Sequence, residues 1–183
     1  MTQKQIIELQ TYLKVNPDGF WGPKSIEAAQ VHLRRLMPSN NPWPRTDEAS
    51  LTAFYGQAGD ESKLTNLDVA GLGLKYAGKS VKTVRCHYKV AESLKRVLAK
   101  LPVEILSKYD GCYNNRPMRG GSRPSLHARG AAVDFDAGNN GNRVSWPLTA
   151  TMPFAVMEAF AREGWLAAGA FWSRDAMHFQ ATQ

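Results

Sequence analysis

Four residues in the last third of the chain have the types and spacing of a hydrolytic metal site: His127, Asp134, Asp175 and His178. The first two lie in Ser125-Leu126-His127-Ala128-Arg129-Gly130-Ala131-Ala132-Val133-Asp134, and the others in Asp175-Ala176-Met177-His178. A zinc ion that does chemistry takes three protein ligands, keeps a fourth position open for water, and works with a carboxylate beside that water. His127, Asp134 and His178 can supply the ligands, and Asp175 precedes the last of them by three residues. Gly130 and Ala132 leave room for close backbone packing, and residues 131–136 read as a short buried strand. A single histidine is more often an ordinary buried residue than a ligand, and His32 and His87 are read that way. It is the conjunction, one His and one Asp across a Gly/Ala strand and a second His behind a carboxylate, that points to a zinc-dependent hydrolase.

Positioning such a site takes a mixed scaffold. Val90, Ala91, Leu94, Val97, Leu98 and Leu101 form one apolar stripe, so a helix is expected over about residues 89–106, ended or bent by Pro102. A second helix is expected over residues 151–163, with Pro153 in its first turn and Gly164 after its end. Residues 64–73 and 78–86 read as loop and strand, and 110–124 as a Gly/Asn/Arg-rich loop. Residues 168–172 and 177–180 read as two strands joined by a Ser173-Arg174-Asp175 turn. Without regular βαβ alternation these elements make an α+β protein: a short antiparallel sheet flanked by helices.

The first sixty residues read differently. Ile6, Ile7, Leu9, Gln10 and Leu13 recur at helical spacing. A turn, Asn16-Pro17-Asp18-Gly19-Phe20-Trp21-Gly22-Pro23, leads into a second helix with Ile26, Ala29, Leu33 and Leu36 on one face. Residues 48–55 suit a third short helix, so a three-helix module over 1–60 and a larger domain over 61–183 are expected. Trp21 and Trp43 are either core residues of this module or exposed rings of the kind on which sugars stack.

Composition narrows the partners. The net charge is +7, and all of the excess lies in residues 61–183, where seventeen Lys/Arg face ten Asp/Glu. That surface suits an anionic polymer such as a bacterial cell wall. Basic runs interleaved with aromatics are missing, as is a recognition-helix pattern, so nucleic acid is not an expected partner. The start of the chain has no apolar signal region and no later run approaches a membrane span, so stable membrane insertion is not expected. Cys86 and Cys112 are too few for a disulfide scaffold; they either pair once or stay free.

Residues 1–60 resemble the peptidoglycan-binding module of cell-wall hydrolases, through Ile7, Leu9-Gln10, Leu13, Asp18-Gly19-Phe20-Trp21-Gly22-Pro23-Lys24-Ser25 and Ala28. The resemblance implies that this turn aims one helix across the next beside a shallow groove for glycan or stem peptide. Residues 61–183 resemble the zinc peptidases that include VanX- and VanY-type D-alanyl-D-alanine peptidases and phage L-alanyl-D-glutamate endopeptidases. The resemblance rests on Gly111-x-Tyr113-x-x-Arg116, Ser125-x-His127-x-x-Gly130-x-Ala132-x-Asp134 and Asp175-x-x-His178-Phe179. It implies zinc on His127, Asp134 and His178, Asp175 as general base, and an arginine, either Arg116 or Arg119, facing substrate or transition-state charge. Aspartate at 175, where many carboxypeptidases carry glutamate, is closer to the phage branch. Asp136, two residues past Asp134, either holds a ligand imidazole or a neighbouring arginine, or is a strand-end charge facing water.

Together these features resemble a phage endolysin, expected as a monomer with Zn2+ and with peptidoglycan as its partner. The resemblance implies that it waits in the host cytoplasm until the membrane is opened, then cuts the stem peptide between L-Ala and D-Glu. The alternatives are a D-Ala-D-Ala carboxypeptidase and a non-catalytic wall-binding protein. A non-catalytic protein would have no chemical reason to keep all four zinc and base positions together.

Overall fold

The computed structural model describes residues 1–118 and 120–183; Arg119 lies outside the described residues. Three helices come first: α1 (Gln3–Tyr12), α2 (Pro23–Leu36) and α3 (Glu48–Tyr55). Thr2 caps α1 in a reciprocal capping box with Gln5, and Pro23 opens α2 at a position where a missing N–H costs nothing. The turn between them is organised by Gln10, which is buried. Its amide nitrogen donates to Asp18 Oδ1, Phe20 O and Ser25 Oγ, and its oxygen accepts from Gly19 N–H. Gly19 has φ +75°, a conformation that favours glycine.

Two small antiparallel pairs follow. β1 (Leu64–Asp68) pairs with β4 (Thr83–His87), and between them β2 (Lys75–Tyr76) and β3 (Lys79–Ser80) form an exposed hairpin. The expected long helix is two helices, α4 (Ala91–Leu98) and α5 (Val103–Leu106). Pro102 caps α5 in an extended conformation, and proline disfavours helical geometry in the residue before it, so the break comes before Pro102.

The main sheet contains β5 (Tyr109–Gly111) and β6 (Ala132–Phe135); α6 (Ala137–Asn140) and α7 (Phe154–Ala161) come next, then β7 (Leu166–Ala167), α8 (Ala168–Trp172) and β8 (His178–Gln180). Its strand order is β5-β6-β8-β7, antiparallel throughout. The fold is therefore α+β. Residues 168–172 are a helix where a strand is expected. A short apolar run has no polar face to reveal its period. The helix packs closely at Gly169, where a Cβ would meet Met157 Cε at 2.7 Å and Ala176 Cβ at 2.8 Å.

One hydrophobic core runs through the whole chain, joining Ile6, Leu33 and Trp43 to Phe135, Phe160 and Phe179. Trp21 and Trp43 are core residues. Trp21 packs edge-on against Trp146 at 5.3 Å, and Trp43 packs against Trp165 while its indole N–H donates to Glu163 O. The exposed ring of that turn is Phe20, 71% accessible. Helix α2 packs on α7 and α8, and both Tyr12 and His32 reach Glu158 of α7, at 2.8 and 2.6 Å. Cys86 and Cys112 are buried and free. Among the described residues no helix is long and apolar enough to cross a membrane.

Tyr55 makes one of the ties between the first helices and the C-terminus. Its hydroxyl, buried, donates to Ala181 O at 2.6 Å. Tyr55→Phe leaves that buried carbonyl without its partner, so unfolding free energy should fall by about 1–3 kcal/mol. Thermal melts should show a midpoint lower by roughly 2–4 °C for each kcal/mol lost. An unchanged midpoint would show that this tie carries no stability.

Candidate metal centre

Sheet register brings two of the expected ligands together. Asp134 of β6 and His178 of β8 are direct cross-strand partners, so their side chains leave the same face. His127 arrives from the 3-10 turn Leu126–Arg129 that precedes β6. Ser125 caps that turn by accepting from His127 N–H, and Gly130 ends it at φ +64°. A Cβ at Gly130 would lie 2.7 Å from His87 N, so glycine is needed both for the backbone conformation and for the approach to β4. The spacing of His127, Gly130, Ala132 and Asp134 thus encodes a turn, a close approach and a strand.

Arg129 braces this turn from behind. Its guanidinium is fully buried; Nε donates to Gly56 O at 3.0 Å, and Nη2 reaches Thr52 Oγ1 at 3.2 Å and Glu48. All of these partners belong to residues 48–56. Gly59 N–H adds a 2.7 Å bond to Ala128 O. Residues of the first sixty therefore hold the loop that carries His127.

His127 Nε2, Asp134 Oδ1 and His178 Nδ1 form a triangle with edges of 3.2, 3.2 and 3.0 Å. A tetrahedral zinc site with bonds of about 2.0–2.2 Å has ligand–ligand edges of about 3.3–3.6 Å. The outer nitrogens of both imidazoles are already committed. His127 Nδ1–H donates to Cys112 O at 2.6 Å, and His178 Nε2–H donates to Gln180 Oε1 at 3.1 Å. Carbonyl oxygens only accept, so neutral imidazoles must point their lone pairs inward. Three lone pairs at this separation repel unless a cation or a proton sits among them.

The electrostatics say the same. Burial alone would raise the Asp134 carboxyl, but hydrogen bonds with His127 and His178 hold it well below the usual carboxylate range. Burial alone would lower His178, but its hydrogen bond to Asp134, and the charges of Asp134 and Asp175, raise it above its ordinary value. The donor set, two imidazoles and one carboxylate, suits a zinc-like divalent ion.

Asp175 lies in the turn before β8, at φ +58°, between Ser173 at φ +57° and His178, whose N–H donates to Asp175 O at 2.9 Å. Left-handed backbone at non-glycine residues costs energy and is concentrated at functional sites. Asp175 is among the residues that line the cavity of His127, Asp134 and His178. Arg116, His127 and Asp134 line both this cavity and a second one, which Tyr76 and Tyr113 also line.

Asp136 holds neither a ligand imidazole nor an arginine, and it does not face water. It sits past the strand end at φ +53°, buried, and bonds Lys108 Nζ, Asn139 Nδ2 and Asn140 Nδ2. It anchors α6 and does not support a ligand. The support comes instead from Cys112 O and from Gln180, whose own amide nitrogen donates to Thr182 Oγ1 at 2.6 Å. Gln180 was open to sequence reasoning, since it is two residues past His178 on the same strand. Cys112 O was not, because only the fold places that carbonyl. His87 is an ordinary core histidine, bonded to Tyr55 O and to Lys89 N–H.

Residues 119–181 match a family model described as D-alanyl-D-alanine carboxypeptidase. That stretch is about a third of the chain, and it contains the donor triangle and Asp175. Neither the curated proteins nor the solved structures gave a significant match.

Gln180→Leu removes the acceptor that orients His178 while leaving all three donors in place. Zinc affinity, measured by competition with a chromogenic chelator, should fall about 10–100-fold. Unchanged affinity would show that His178 needs no such partner.

Proposed function

We propose that this chain is a zinc endopeptidase that cuts peptidoglycan stem peptides between L-Ala and D-Glu. The observation that carries the proposal is that two of the three donors, His127 and Asp134, line two cavities at once, together with Arg116. A carboxypeptidase has to stop the chain end at a wall beside the reacting bond. An endopeptidase needs room on both sides. The second reading, a D-Ala-D-Ala carboxypeptidase, is favoured by the description of the matching family.

Zinc held by His127 Nε2, Asp134 Oδ1 and His178 Nδ1 would supply Lewis acidity, polarising the scissile carbonyl and making a water acidic enough to ionise near neutral pH. Asp175 accepts a proton from the attacking water and passes it to the leaving amine. Arg116 faces the charge that develops on the carbonyl oxygen or a substrate carboxylate, where a planar guanidinium fits both. Arg119 remains the other candidate for that part. Gln180 and Cys112 O keep the imidazoles oriented throughout.

The first sixty residues are proposed to hold the wall. Between α1 and α2 lies a cavity of about 650 Å3, lined by Tyr12, Lys14, Lys24, Glu27, His32 and Arg35 among others. Its three full cations against one carboxylate suit the acidic stem peptides. The same reading makes the protein a lytic enzyme of the phage type, monomeric, acting on the wall once the membrane has been opened.

Three experiments test these proposals. Asp175→Asn keeps the shape and removes the proton acceptor, so zinc content should persist while turnover of muropeptides falls by roughly 10²–10⁴-fold. Mass spectrometry of the wild-type digest should show new N-terminal D-Glu; free D-Ala as the product would establish the carboxypeptidase instead. Loss of zinc in Asp175→Asn, or near-normal turnover, would remove Asp175 as the base. For the groove, Lys14→Glu with Arg35→Glu in the full-length chain should lower affinity for purified sacculi and leave cleavage of soluble muropeptides intact. The full-length chain is needed because deleting residues 1–60 would strip Arg129 of its partners.

A further inference from the structure

We infer that the cleft has a direction, and that its Tyr76 and Tyr113 side is a subsite for the sugar-bearing, N-terminal half of the stem peptide. The inference rests on the endopeptidase reading with Asp175 as base. In amide hydrolysis the carbonyl carbon gains an oxygen from water, the C–N bond breaks, and the nitrogen leaves with a proton. The carboxylate that took the proton from water must reach that nitrogen, so the leaving half lies on the Asp175 side. Asp175 lines the smaller cavity, about 190 Å3, beside Trp172 and Arg174. The acyl half then extends into the other cavity.

When a stem peptide is cut after its first residue, the acyl half is an alanine whose nitrogen is joined to the lactyl group of muramic acid. This half therefore carries a sugar ring. The receiving cavity measures about 480 Å3. It falls within the range of roughly 300–1,000 Å3 of sites that enclose small ligands, and the smaller cavity falls below it.

Its aromatic side chains are held in place. Tyr113 O–H donates to Glu61 Oε1 at 3.2 Å, and the Arg85 guanidinium lies 5.3 Å from the Tyr113 ring centre while bonding Glu61 Oε2 at 2.6 Å. The ring is thus fixed at its edge and on one face. Tyr76 comes from the β2–β3 hairpin, 53% accessible, and packs edge-on against Tyr109 at 6.5 Å. Pyranose rings present C–H faces that pack on such aromatic rings while their hydroxyls stay solvated. The hairpin, which takes no part in the sheet of the donor triangle, acquires a role as one wall of this subsite.

The test is calorimetric binding of N-acetylmuramyl-L-alanine and of N-acetyl-L-alanine to the full-length, zinc-loaded protein, alongside product analysis of a muropeptide digest. The muramyl ligand should bind about tenfold tighter or more, the equivalent of one good ring contact. Tyr76→Ala and Tyr113→Ala should each erase most of that preference, and Tyr113→Phe, which keeps the ring, should retain it. Equal affinity for the two ligands, or a preference unchanged in both alanine variants, overturns the subsite. A preference lost in Trp172→Ala but kept in the tyrosine variants overturns the direction. If the tyrosine-dependent preference is present but free D-Ala is the only product, the endopeptidase reading falls and the subsite stands. If L-Ala–D-Glu is cut and the preference is absent, the subsite falls and that reading stands.

Discussion

The arrangement on which the rest of the structure depends is the convergence of His127 Nε2, Asp134 Oδ1 and His178 Nδ1 within 3.0–3.2 Å of one another. Three lone pairs do not approach so closely without a cation or proton between them, so every neighbouring element has to hold them there. Strand pairing supplies two of the three directions, because Asp134 and His178 face each other across β6 and β8. The third comes from the turn before β6. That turn is held by Gly130 against β4 on one side and by Arg129 against residues 48–56 on the other.

This bracing ties the first sixty residues to the site in a physical sense. The buried guanidinium of Arg129 finds its hydrogen bonds in Thr52, Gly56 and Glu48, and a buried charge without such partners is strongly unfavourable. Trp21, Trp43 and Tyr55 continue the same core into the half that carries the donor triangle. The basic groove lies between α1 and α2, whereas α3 and the residues after it hold the loop that carries His127; one core joins all three helices to the sheet.

The outer contacts of the ligands decide which nitrogen faces inward. Cys112 O and Gln180 take the outer N–H groups of His127 and His178, and Thr182 in turn fixes the Gln180 amide. Asp175 stands apart from this support. It sits on strained backbone in a turn that opens into the cleft, where its carboxylate lies beside the ligands without being one of the three donors. Separating a rigid donor set from an adjacent carboxylate is what a metal-assisted hydrolysis needs.

Much of this was legible in the residues alone. The donor set could be named from His127, Asp134 and His178, because metal chemistry demands those residue types and the Gly130–Ala132 spacing marks a tight turn into a buried strand. The helices at 3–12, 23–36 and 48–55 were legible as well, since amphipathic spacing and capping residues act locally. Other features depended on contacts between distant segments. Residues 168–172 read as a strand because an all-apolar run shows no period; in the fold they are a helix whose Gly169 packs closely on Met157 and Ala176. Strand alternation left Asp136 open as a ligand support or a water-facing charge, but the chain turns left-handed there and commits it to Lys108, Asn139 and Asn140. Trp21 and Trp43 could have been sugar platforms or core, and burial against Trp146 and Trp165 made them core. Residue type and local spacing set which groups could bind metal; the orientation of each imidazole came from a backbone carbonyl and a side-chain amide that only the folded chain brings to the ligands, because hydrogen-bond partners are chosen by tertiary contact.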